Sequence, residues 1–384
     1  METRIVNLLV FLMKTGSRQC LPNSLFPINE ERLLTIANRN KAIPFLFHFI
    51  NCPSCRKKIK TTTLKRLSDY QKFVSIWPLL YQNEKKQLGK FCQKNKVKAV
   101  LIKDFSSYPK MNFHQQFLMG VDLDLLIKKS NTIDFELFLK KQGYQLEKHL
   151  KIRNKNGKTD YQEKNFFHPQ KKVSIDLHYQ IAIPHKDEFN FLPWETIKRL
   201  SKKILQNSSQ QKNGLSIPQK EYFLLILLAH YLGSDILKGL RSLFDIIQFI
   251  NLYGQEINWG KFLQLCQQFK ITNFSCFIFL LGSRIFNLKL PQNFQRKTQI
   301  SFRTRFLSFC WPVEKIAIFP SPGKWHLKNK EAGEIFYENF FLKLLLADSV
   351  PLRRLIRPRI FLFCLKILFL RFNKALSHLY QRYF

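Results

Sequence analysis

From residue 1 to about residue 95, apolar residues recur every three or four positions, as in ERLLTIANRNKAIPFLFHFI and LSDYQKFVSIWPLLYQNEKKQLGKFCQKN. That spacing builds one apolar face on a helix. Near residue 97 the period changes. VKAVLIKD, GVDLDLLIKK and KKVSIDLHYQIAI read as short strands, and a helix-like stretch, NTIDFELFLKKQGYQLEKH, lies between the last two. A polar link, KKILQNSSQQKNGLSIPQ, leads back to helical spacing in EYFLLILLAHYLGSDILKGLRSLFDIIQFINLYG and INWGKFLQLCQQF. Beyond about 290 the pattern weakens into a basic tail punctuated by Pro291, Pro312, Pro320, Pro322, Pro351 and Pro358, and no internal repeat or low-complexity tract appears. The pattern predicts an α+β chain. An N-terminal helical region over 1–95 precedes an α/β core over 96–200, a small mixed sheet with helices; a helical domain over 215–290 and a basic helical region over 291–384 follow.

Two of the predicted strands carry acids where an apolar run is expected. In GVDLDLLIKK, Asp122 and Asp124 point to one side while Leu123, Leu125 and Ile127 pack on the other. Like charges so placed raise each other's pKa and cost stability unless a cation or strong donor lies between them. VSIDLHYQ supplies a third acid, Asp176, which shares a side with His178, opposite Val173, Ile175, Leu177 and Tyr179. If the two strands are neighbours, three carboxylates converge, and such an oxygen set holds Mg²⁺ together with substrate phosphates. Two metal ions there would clamp the attacking and departing oxygens of a phosphoryl or nucleotidyl transfer. Asp176 is then the natural base for an incoming hydroxyl. The competing reading of Asp122 and Asp124 alone is a pair of exposed acids on an edge strand; the third acid favours the metal.

Composition excludes a disordered chain, since 45% of the 384 residues are apolar and 14% aromatic. The formal net charge of +37, from 63 basic and 26 acidic residues, points to an anionic partner: nucleic acid, nucleotide or anionic membrane. A coding bias toward Lys, Asn, Phe and Ile gives the same excess. The eight cysteines form no disulfide framework, which suits a reducing, cytoplasmic compartment. Only NCPSCRKK holds a close pair, Cys52 and Cys55, and without the second pair of a zinc ribbon these read as ordinary thiols in a turn. The N-terminus lacks the cleavage pattern of a secretory signal. Near the end, IFLFCLKILFLRF is broken by Lys366 and Arg371 and is too short to span a bilayer. The tail from Pro351 onward, basic and interleaved with Phe and Leu, suits an anionic membrane surface, RNA, or a solvated helix closing the fold.

The order VLIK, DLDLLI, IDLHY and then LLILLAHYL with LRSLFDIIQFI resembles the uncharacterised nucleotidyltransferase family of the polymerase-beta-like superfamily. ANRNKAIPFLF, the INW before a helix and PLRRLIRPR extend the likeness over most of the chain. The resemblance implies a minimal nucleotidyltransferase core flanked by helices, moving a nucleoside monophosphate from an NTP to a hydroxyl with Mg²⁺. It places Asp122 and Asp124 on the metal-binding pair and Asp176 on the third carboxylate. The acceptor it leaves open is a nucleic acid or a small molecule; a transferase of the toxin-antitoxin type, acting on tRNA or a partner protein, would use the same residues. A weakened relative holding RNA or a membrane with its positive surface is the rival reading.

Departures from the family pattern fall beside the acids. Family members carry Lys-Gly after the first strand, where this chain has Lys103 and Asp104 in LIKDFSSYP. Ser106 and Ser107 remain as donors to phosphate and Lys103 as its charge, the alternative for Lys103 being a solvated strand end. The arginine often found before the acid pair is missing from QQFLMGVD. His178 either touches phosphate, orients a carboxylate or is a hydrogen-bonded core histidine. His230 and Asp245 are expected to serve packing or capping.

Overall fold

The computed structural model describes residues 2–15, 25–111, 122–153, 159–181, 194–233, 239–292, 294, 298 and 300–311. Its helices are α1 (Glu2–Thr15), α2 (Glu30–Arg39), α3 (His48–Asn51), α4 (Pro53–Arg56), α5 (Thr61–Lys94), α6 (Thr132–Lys141), α7 (Trp194–Gln206), α8 (Lys220–Gly233), α9 (Leu240–Tyr253), α10 (Trp259–Gln268), α11 (Thr272–Phe286) and α12 (Phe302–Cys310). The strands are β1 (Ala99–Leu101), β2 (Asp122–Ile127), β3 (Gln145–Arg153), β4 (Thr159–His168), β5 (Val173–His178), β6 (Ser208–Gln210) and β7 (Ser216–Pro218). They form one mixed sheet in the order β3-β4-β5-β2-β1-β7-β6. This is the α+β build that the periodicity predicts. The stretch before the acid pair that contains QQFLMG, and the basic tail beyond Trp311, lie outside the described residues.

Alternation in the strands sorts their side chains onto two cores. Leu101, Leu123, Leu125, Ile127, Ile175 and Leu177 pack under α5 and α6, against Leu88, Cys92, Phe135 and Leu139. On the other side, Val100, Ile102 and Leu126 join a larger core shared by α1, α2 and the helices α8 to α11. Each fully buried large side chain here is worth about 1.5–3 kcal/mol, so the register of β2 is fixed by its apolar half. Asp122 and Asp124 thus fall on the side of the sheet that Leu126 turns toward the helical flanks.

Two segments differ from the pattern read along the chain. The helix-like stretch 131–149 is helical only to Lys141; Gly143 at φ 89° ends it, and Gln145 opens β3. A residue with φ > 0 after the last turn stops a helix, and glycine takes that conformation without a Cβ penalty. The polar link is not a linker. Its first residues finish α7, and the rest forms the hairpin β6–β7, whose second strand runs parallel to β1 with Val100 beside Ser216. At Gly89 of α5 the backbone meets that hairpin so closely that a Cβ would lie 1.6 Å from the Asn213 carbonyl oxygen.

Candidate active site

β2 and β5 are parallel neighbours, with Asp122 opposite Ser174, Asp124 opposite Asp176 and Leu126 opposite His178. The two strands are therefore neighbours, and they bring Asp124 level with Asp176. Asp124, Asp176 and His178 each offer a ligand atom within 4.8 Å of the others, while Asp122 stands at the exposed start of β2 on the same side. His178 Nε2 lies 2.7 Å from Asp124 Oδ1, and the Lys103 ammonium 2.8 Å from the same oxygen. Glu163 reaches to 3.7 Å of His178 Nδ1 from β4. In register with Asp176 on that strand, Asn165 donates its amide to the Asp176 carboxylate.

Electrostatics divide these acids into different roles. Burial pushes the Asp124 carboxyl up, but the Lys103 charge and the His178 hydrogen bond outweigh it and hold it well below the ordinary range. His178 is held above its ordinary value, because its bond to Asp124 outweighs burial. Asp122 is raised by desolvation and then by Asp124, against the opposing charges of Lys103, Lys41 and His178. Asp176 is pushed up to about 7 by burial and by the Asp124 charge, with smaller upward contributions from Asp122 and Glu163 against the downward pull of His178. One carboxylate stays ionised and its neighbour titrates near neutrality.

Lys103 occupies a left-handed conformation, φ 66°, two residues after the end of β1. A non-glycine residue in that conformation costs of order 1–3 kcal/mol. Asp104 does not face an open phosphate site. It caps the short 3-10 turn Phe105–Ser107 by accepting from the Ser106 amide at 3.1 Å, and pairs with Lys85 Nζ of α5 at 3.1 Å. The Ser106 and Ser107 hydroxyls, expected to meet phosphate, both donate to Asp104, and Lys85 donates to the Ser106 oxygen as well. Of the four expected nucleotide contacts, the structure brings Lys103 and His178 to the acids and gives the two serines to the Asp104 cap.

The helical flanks close on the same side. Asn40, buried after α2, accepts the Leu240 amide at 2.8 Å and so ties that turn to the start of α9. The next residue, Lys41, exerts its charge on both Asp122 and Asp245. Asp245 pairs with buried Arg241 at 2.6 Å within α9, whereas His230 is half-buried in α8. Reading motifs along the chain misses Lys85, Asn165, Glu163 and Lys41. Asn165 and Glu163 alternate in NFF and YQEK as Asp176 and His178 do in their strand, a signal that becomes legible only once β4 is recognised as a strand.

A divalent cation fits this donor set. Asn165 Oδ1 is a buried oxygen with no hydrogen-bond partner among the described residues, adjacent to the Asp176 carboxylate. Oxygen donors crowded with negative charge are what hard cations bind. An open cavity lined by Tyr108, Lys110, Pro218, Tyr253, Glu256 and Lys261 contains none of the three acids.

A family model described as an uncharacterised nucleotidyltransferase matches residues 27–287 of the chain. No curated protein and no solved structure matches it.

Proposed function

The chain belongs to the uncharacterised nucleotidyltransferase family, and on that premise we propose that it transfers a nucleoside monophosphate from an NTP to a hydroxyl acceptor with Mg²⁺ bound at Asp122, Asp124 and Asp176. The observation that carries this reading is the pairing of Asp124 with Asp176 across parallel neighbouring strands, which brings the three acids to one side of the sheet. Bound there, Mg²⁺ supplies charge stabilisation to the transferring phosphoryl group and polarises its oxygens.

The chain's own residues divide the remaining work. Asp176, level with Asp124 on the neighbouring strand, is the carboxylate placed to take a proton from the acceptor hydroxyl. His178, fixed between Asp124 and Glu163, holds the Asp124 carboxylate in orientation. Lys103 neutralises Asp124 through its 2.8 Å ion pair, and would offer its charge to a nucleotide phosphate if the acids held a metal. Asp104, held by Lys85 and both serines, spends its charge on the turn and leaves the approach to Lys103 less repulsive.

A thermal-shift measurement tests the binding half of this reading. NTP with Mg²⁺ is expected to raise the Tm of the wild type and not that of Asp124→Asn, and an equal rise in both would remove the acid face from nucleotide binding.

A further inference from the structure

We infer that the N-terminal region carries a second, soft metal site, built by His48, Cys52 and Cys55 and fitted to Zn²⁺. The three occupy positions i, i+4 and i+7 across α3 and α4. His48 opens α3, Cys52 is the C-cap of α3 and the N-cap of α4, and Cys55 lies within α4. The Cys52 amide donates to the His48 carbonyl and the Arg56 amide to that of Cys52, so successive turns bring the three side chains to one side.

The geometry matches tetrahedral zinc. Cys55 Sγ lies 3.5 Å from His48 Nε2, and the ligand atoms of all three residues lie within 4.8 Å of one another. Zinc bonds of about 2.3 Å to sulfur and about 2.0 Å to nitrogen, opened to a tetrahedral angle, place those atoms about 3.6 Å apart. The spacing therefore holds with little movement.

The chemistry of the set points the same way. Two thiols and an imidazole select zinc over Mg²⁺ or Ca²⁺, and two thiolates balance a divalent charge. Binding expels one proton from each thiol and leaves the fourth position to water. His48 and Cys55 are buried and Cys52 is half-buried, so a metal here joins the ends of two single-turn helices that are too short to hold themselves. Arg56, Lys57, Lys58 and Lys60 follow directly in the sequence and favour ionised sulfur. The third ligand is a histidine four residues before Cys52, so the set lacks the second Cys-x-x-Cys pair of a zinc ribbon. Cys52 and Cys55 are thus more than ordinary thiols in a turn.

The inference does not rest on the nucleotidyltransferase reading, and its test separates them. Full-length protein without a polyhistidine tag, produced with added zinc and dialysed under reducing conditions, is assayed for metal by mass spectrometry. One zinc per chain is expected in the wild type and in Asp124→Asn, with loss in Cys52→Ser and in Cys55→Ser. Replacement by Co²⁺ is expected to give a thiolate-to-cobalt charge-transfer band that weakens in each serine variant. Cys52→Ser, at the half-buried position, and the cobalt spectrum of the wild type keep the test decisive if Cys55→Ser fails to fold. Reduced wild type carrying only background zinc and showing no cobalt-thiolate band would overturn the site, as would zinc that persists in both serine variants.

Discussion

Asp176 lies opposite Asp124 with one amide donor, Asn165, on its other flank, and this asymmetry sets its behaviour. Its folded pKa is raised to about 7 from 3.8, so its contribution to stability is complete below the lower value and is lost as pH rises through the upper one. In chelator-treated protein, the Tm of the wild type is therefore expected to fall relative to Asp176→Asn between about pH 4 and about pH 7. Parallel pH profiles of Tm would show that Asp176 does not titrate in this range. In turnover the same substitution acts on the transition state: kcat is expected to fall on the order of a hundredfold with little change in KM for NTP. Loss of NTP affinity with turnover intact at saturation would make Asp176 a ground-state ligand instead, and His178 the next candidate for the base.

Elements explain why the acid side was legible in the sequence and its supports were not. β2 and β5 each have a clean apolar half, so the faces of Asp122, Asp124, Asp176 and His178 follow from alternation alone. β3 is polar enough, as QLEKHLKIR, to continue the preceding helical pattern, and only Gly143 marks the break. β6 and β7 are three residues each, too short for any period to register. Lys85 belongs to a long helix nineteen positions before Asp104, and nothing local ties one to the other. The hairpin's dependence on α5 is testable at Gly89. A Cβ there meets backbone, not a side chain that can swing away, so Gly89→Ala is expected to cost at least about 2 kcal/mol, read as a lowered midpoint in urea. An unchanged midpoint would mean that the hairpin is not held against α5.

For the whole molecule, the α-helical regions on either side of the sheet in sequence share one core and close on its acid side through Asn40 and the start of α9. Among the described residues no helix is long and apolar enough to cross a membrane. The net charge of +37 is what an anionic partner would draw on. Binding to single-stranded RNA is expected to weaken steeply with added salt and to be the same in Asp124→Asn, since it draws on distributed Lys and Arg and not on the acids. Affinity insensitive to salt would remove the electrostatic account. The central claim is that three acids brought together by β2 and β5 perform nucleotidyl transfer, and the position of the transferred phosphorus tests it most directly. Purified protein is incubated with Mg²⁺, a cell extract and NTPs labelled either at the α- or at the γ-phosphate, and the acceptor fraction is counted. Label is expected to reach the acceptor from the α-position only, and to be abolished in Asp122→Asn and Asp124→Asn with the fold retained. Transfer from the γ-position, or α-label that persists in both variants, would contradict it.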